Sequence, residues 1–214
     1  MKTVAHEFPS YTRAERRIDN GIHVIGIIAA PAASMWLLHH ASGIALTLSL
    51  TVYCIALVTM LGVSALYNML PPMPSKEIVR RLDHAAIFVM IAGTYMPLVV
   101  NRLPAYDGTL LGVFIWFGAI VGIVLALAWP HNYQRLKLAS YLLLGWIGVT
   151  VIGPLTLALR ETTAILILAG GIAYSIGAGF HHLQRVRFHN AVWHALVLLA
   201  ASLHFIAITT EFTL

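Results

Sequence analysis

The sequence predicts an all-α, polytopic membrane protein, a bundle of seven transmembrane helices with its N-terminus in the cytoplasm and its C-terminus outside. Three observations predict it. Of 214 residues, 59% are hydrophobic and only 10% charged, against roughly 25% charged in soluble domains. The charges are segregated, with no Asp, Glu, Lys or Arg in 20–75, 84–101, 108–134, 138–159, 162–184 or 188–210. Lys and Arg also fall almost wholly on alternate connections between these runs.

The elements follow in chain order. Residues 1–20 carry basic side chains but no apolar core or small-residue cleavage site, so they are expected to stay as a cytoplasmic segment rather than leave as a signal peptide. A spanning helix needs about 20 apolar residues, which makes the first charge-free run long enough for two helices and each later run one. The first run must therefore fold back. His39-His40-Ala41-Ser42-Gly43 is its polar, Gly-containing interruption, which places the first helix at about 21–38 and the second at about 44–69. Pro71-Pro72-Met73-Pro74 stops the second helix, because proline has no amide proton and restricts the residue before it. Five further helices fill the remaining runs, giving a single domain over 21–210 and a short outer tail at 211–214.

Sidedness comes from the cations. Lys2, Arg13, Arg16 and Arg17 precede the first helix, Lys76, Arg80 and Arg81 follow the second, Arg135 and Lys137 follow the fourth, and Arg185 and Arg187 follow the sixth. The opposite side holds Arg102 and Arg160. The positive-inside rule assigns the richer side to the cytoplasm, and an odd helix number is needed to match it. The pI near 9.6 is explained by these juxtamembrane cations, so no nucleic-acid partner is expected. Membrane lipids are the expected surroundings, and a lipid the expected substrate or ligand. Cys54 stands alone in the second helix, which excludes an internal disulfide framework. Gly118 and Gly122, like Gly170, Gly171, Gly177 and Gly179, read as close helix packing.

Polar side chains inside spans are costly, and here they cluster. Ser64 and Asn68 lie one turn apart at the end of the second helix, and Asp83 opens the third. Asn190 and His194 lie one turn apart at the start of the seventh, and Glu15, Asp19 and His23 follow the same spacing where the first enters. Topology brings these to one membrane depth, pointing to a shared site. Taken singly, Asp83 also reads as a helix cap, and the amides as interhelical hydrogen-bonding groups. The remaining histidines lie elsewhere: His39 and His40 in the outer turn, His131 in an inner loop, His181, His182 and His189 at the membrane interface, and His204 deep in the last helix.

Ser64-Ala65-Leu66-Tyr67-Asn68, Arg81-Leu82-Asp83-His84-Ala85-Ala86-Ile87, Ile91-Ala92-Gly93-Thr94-Tyr95-Met96-Pro97 and Asn190-Ala191-Val192-Trp193-His194 together resemble the hemolysin III family. That family is the bacterial branch of the progestin and adipoQ receptor group and is similar to alkaline ceramidases. The resemblance runs over nearly the whole chain and implies location in the bacterial cytoplasmic (inner) membrane. It also implies zinc held by three histidines, of an S-x-x-x-H and an H-x-x-x-H motif, with the acid of the third helix beside a metal-bound water that hydrolyses a lipid amide. This sequence departs from that pattern at two of the three ligands, where Asn68 and Asn190 stand and leave His194 alone. A neutral amide oxygen is a weak zinc ligand.

Three functions follow as alternatives. In the first, His194 with Asp83 and the amide oxygens of Asn190 and Asn68 holds a divalent metal such as zinc, Asp83 acts as general base and Ser64 hydrogen-bonds substrate or water, giving a metal-dependent lipid amide hydrolase. In the second, the fold and its polar pocket persist in a non-enzymatic receptor-like sensor or membrane-homeostasis protein, as the two asparagines favour. The third, a pore-forming cytolysin, has no charged stripe through the bilayer to support it.

Overall fold

The computed structural model describes residues 11–128, 134–183 and 186–213. These are helical: α1 (Arg13–His39), α2 (Ile44–Met69), α3 (Lys76–Asn101), α4 (Ala105–Ala128), α5 (Gln134–Gly145), a 3-10 turn (Ile147–Val151), α6 (Ile152–Ala158), α7 (Glu161–His182) and α8 (His189–Phe212). No strand occurs among the described residues. Six of the helices, α1 to α4 with α7 and α8, are long and apolar enough to cross a membrane. Burial is inverted relative to a water-soluble protein: Met35 is 72% exposed and Ile44 82% exposed, while Asp19, Ser49 and Glu211 are buried. Apolar surface on this scale needs lipid to cover it, and the chain is a multi-pass membrane protein.

The helices form where the sequence allows and stop for identifiable reasons. The first begins at Arg13, some turns before the apolar stretch. Thr12 and Glu15 build a capping box there, with the Thr12 side chain accepting from the Glu15 amide and the Glu15 carboxylate accepting from the Thr12 amide. The second spans the range its apolar run predicts, preceded by Gly43 at φ +87°, a backbone that favours glycine. In α3 the helix starts at Lys76, so Asp83 sits in its third turn rather than at its opening, and the reading of Asp83 as a helix cap does not hold.

Chain neighbours pack together: α1 on α2, α2 on α3, α3 on α4 and α7 on α8, with α1 closing the bundle against α8. One core joins Leu37, Leu50, Tyr53, Leu57 and Ile208, and a second joins Phe88, Ile115 and Leu144. Glycines permit these approaches. A Cβ at Gly122 would collide with the Phe88 ring, and one at Gly170 with the His204 ring.

Two polar arrangements hold the framework. Between α5 and α6 the helix is interrupted, and the Tyr95 hydroxyl of α3 fills the interruption, donating to the Gly145 carbonyl at 2.6 Å and accepting from the Gly148 N–H at 3.1 Å. At the end of the bundle where α3 and α8 finish and α7 begins, Glu211 is clasped. Its carboxylate meets Arg102 Nε at 2.6 Å and accepts from the Arg160 amide at 3.1 Å. Arg102 also donates to the Glu211 carbonyl at 2.8 Å.

Candidate functional site

The opposite end of the bundle gathers α1, α2, α3 and α8. The inward face of α1 runs Asp19, His23, Gly26, Ala30, Ser34 and Leu37, all buried, a stripe of helical period. At Gly26 the helix faces Leu61 of α2 and Leu198 of α8, so α1 packs against the two helices that carry Ser64, Asn68, Asn190 and His194. Glu15, one turn earlier, accepts from the Phe188 amide at 2.9 Å. Phe188 caps α8 at φ +61°, so Glu15 fixes where α8 begins relative to α1.

Four helical turns contribute the site. His194 of α8 and Asp19 of α1 share a 2.6 Å hydrogen bond between Nδ1 and Oδ1, both side chains buried. The other carboxylate oxygen of Asp19 accepts from the Asn190 amide at 3.1 Å and lies 3.7 Å from His23 Nε2. The rings of His23 and His194 stack at a tilt, with centroids 4.4 Å apart. On the far side of His194, Nε2 lies 3.4 Å from the amide nitrogen of Asn68. That amide also donates to the Ser64 carbonyl at 2.9 Å, and the Asn68 side-chain oxygen lies 3.4 Å from the Asn190 amide. Asp83 of α3 faces both Ser64 and His194. Every site residue named from sequence thus meets at this end, with Glu15 at its edge and Asp83 at its far side.

A cleft lined by Tyr11, Glu15, Arg16, Asp19, Phe188 and Asn190 opens between the start of α1 and the cap of α8. Tyr11, just ahead of α1, has its phenol pushed up to about 12, first by burial and then by the carboxylates of Asp19 and Glu15.

The chain from Ala14 to Phe205 matches the family model described as "Haemolysin-III related", residues 14–205. The chain belongs to this family. Among its haemolysin-III relatives, "Hemolysin-3" of Bacillus cereus is 32% identical over 91% of this chain and 90% of its own length. The "Hemolysin-3 homolog" of Bacillus subtilis (strain 168) is 31% identical, over 86% of this chain and 88% of its own. The human "Monocyte to macrophage differentiation factor" is 28% identical over 59% of this chain and 52% of its own length. No solved structure matches.

The zinc set implied by resemblance to hemolysin III does not fit the residues present. Asn68 and Asn190 stand at two of its three positions, where an amide offers only a weak oxygen ligand, and their NH2 groups donate to the Ser64 carbonyl, Asp19 and the Asn68 oxygen. Sequence reasoning placed Asp19 and His23 in a supporting role, yet they join His194 as the one group of three metal-capable side chains found among the described residues, with ligand atoms all within 4.8 Å of one another. Their one-turn spacing was visible in the sequence; the face α1 turns toward α8 was not.

Several histidines away from the cluster have partners of their own. His204 Nε2 lies 3.1 Å from the Ile167 carbonyl, His189 Nδ1 3.0 Å from the Val186 carbonyl and His40 Nδ1 2.8 Å from the Trp36 carbonyl. His39 packs edge-on to His40, and His181 against Trp193. His131 lies outside the described residues, as does the side chain of His182.

Proposed function

We propose that this chain is a seven-span, receptor-like sensor of the bacterial cytoplasmic membrane, non-enzymatic, whose polar cluster at the cytoplasmic helix ends is a ligand-binding element. The observation that carries the reading is the mutual hydrogen bonding of Asn68, Asn190, His194 and Asp19. Asn68 and Asn190, standing at two of the three implied zinc positions, use their side chains to hold Ser64, Asp19 and each other. Seven spans follow if α5, the 3-10 turn and α6 form one interrupted crossing. Tyr95 supports this by supplying hydrogen bonds to backbone groups freed at the interruption, the condition for irregular backbone at membrane depth. With the cations of alternate connections inside, the N-terminus and the cluster face the cytoplasm and the Glu211 clasp faces outward.

A second reading, lipid amide hydrolysis, is favoured by Asp83 standing beside both Ser64 and His194. The two separate in one assay. Tag-free protein in detergent is incubated with a long-chain N-acyl sphingoid amide and free fatty acid is measured. The sensor reading expects no release above a protein-free control. Release that Asp83→Asn abolishes would replace it with the hydrolase.

A further inference from the structure

One side chain of the cluster is in surplus of what hydrogen bonding alone requires. Asp19 and His194 satisfy each other, but His23 does not finish the arrangement. Its Nε2 is buried with no hydrogen-bond partner, its side chain is 4% exposed, and it points at Asp19 Oδ2 from 3.7 Å. Leaving a buried ring nitrogen unpaired costs about 1–3 kcal/mol, so a purely structural role is poorly served by histidine there.

We propose that Asp19, His23 and His194 form a binding site for a divalent transition metal ion, built on α1 and α8 and distinct from the three-histidine set implied by the family resemblance. The inference rests on the sensor reading, in that it names the ligand of the same cluster. Two imidazoles and a carboxylate are a donor set that suits zinc and its neighbours rather than calcium or magnesium. The geometry is close to what coordination needs. Ligand atoms at about 2.0–2.1 Å from a tetrahedral ion stand roughly 3.3 Å from each other. His194 lies 2.6 Å from Asp19 Oδ1 and His23 3.7 Å from Asp19 Oδ2, one contact shorter and one longer than that value, and one ligand atom of each residue lies within 4.8 Å of the others. Rotation that opens the Asp19–His194 hydrogen bond and draws His23 inward would turn the three side chains into a three-point cage.

The surroundings supply the rest of a metal site. The Asn190 amide holds Asp19 through Oδ2, and Asn68 contacts the second ring nitrogen of His194, the outer-shell support that orients metal ligands. The cleft beside Tyr11 and Glu15 reaches Asp19, which provides an approach for an ion from the membrane surface. Because the ligands come from the first and last helices, the ion would clamp α1 to α8, a mechanical consequence that suits a sensor.

The test uses the full chain with its affinity tag removed, titrated in detergent with Co2+, and with Zn2+ followed by elemental analysis. Wild type is expected to bind about one ion per chain with the visible absorption of four-coordinate Co2+, and its thermal midpoint is expected to rise with the metal. His23→Leu and Asp19→Asn are each expected to lose both the spectrum and the thermal shift while eluting from size exclusion as wild type does. No metal in wild type would overturn the site, as would full binding that survives His23→Leu, which would place the ion on other histidines. Since fatty-acid release reads the sensor assignment and metal titration reads the ligand, failure of either is seen separately.

Discussion

The interruption between α5 and α6 and the meeting of α1 with α8 both put polar atoms inside an apolar bundle, and they resolve them in opposite ways. At the interruption a single hydroxyl, that of Tyr95, both donates to Gly145 and accepts from Gly148. Donor and acceptor are matched, and the arrangement has no capacity for anything further. At the α1 end the inventory is unbalanced, with Asp19 facing two histidines and an amide while His23 Nε2 is left without a hydrogen bond. Matched polar groups in a membrane bundle serve the fold. Surplus ones lower stability and are retained where a ligand uses them.

This contrast can be broken by substitution. The largest effect is expected from Tyr95→Phe, which strands a carbonyl and an amide and should lower unfolding stability by about 2–4 kcal/mol, measured by denaturant titration in mixed micelles. Metal binding should be unchanged. A wild-type-like Tyr95→Phe would show that the interruption does not depend on the hydroxyl. Next comes Gly122→Ala, whose Cβ meets the Phe88 ring; overpacking of this kind should cost about 1–3 kcal/mol, read by the same titration.

His23→Leu sharpens the comparison from the other side. It removes an unpaired buried nitrogen, so stability without metal should be unchanged or up to about 1 kcal/mol higher, even as the metal-dependent thermal shift is lost. A clear destabilisation would mean that His23 is structural. The smallest effect concerns pH and Tyr11, whose phenol is raised from 10.0 to about 12 in the fold. A raised folded value means the neutral form is favoured in the native state. The contribution is complete below pH 10.0 and is lost as pH climbs through about 12. Comparing wild type with Tyr11→Phe by unfolding across that window should show a steeper alkaline decline for wild type.

The sequence made the helical membrane character plain, because charge exclusion over whole helix lengths has few other causes. It placed α2 at its observed ends, 44–69, since Gly43 and the prolines from Pro71 bound that run on both sides. It missed the start of α1 because the capping box of Thr12 and Glu15 lies among basic residues, where apolar counting sees nothing. The charge-free run 138–159 looked like one helix. Its interruption was foreshadowed by Gly145, Gly148, Gly153 and Pro154, but the compensating hydroxyl came from Tyr95, fifty residues from Gly145 in the chain. The site showed the same split. One-turn spacing of Asp19 with His23 and of Asn190 with His194 could be read directly, whereas their convergence depends on α1 closing against α8, a contact between residues 175 apart.

That closure sets an order on biogenesis. The first helix enters the membrane bearing Asp19 and His23, and the side chains that receive them, Asn190 and His194, are made last. During synthesis, which proceeds from the N-terminus, the nascent bundle therefore carries an uncompensated acid on its earliest helix until α8 arrives. Its completion is signalled at both ends at once, by Asp19 finding His194 and by Glu211 reaching Arg102. A chain cut before α8 would leave Asp19 without His194 and Arg102 without Glu211.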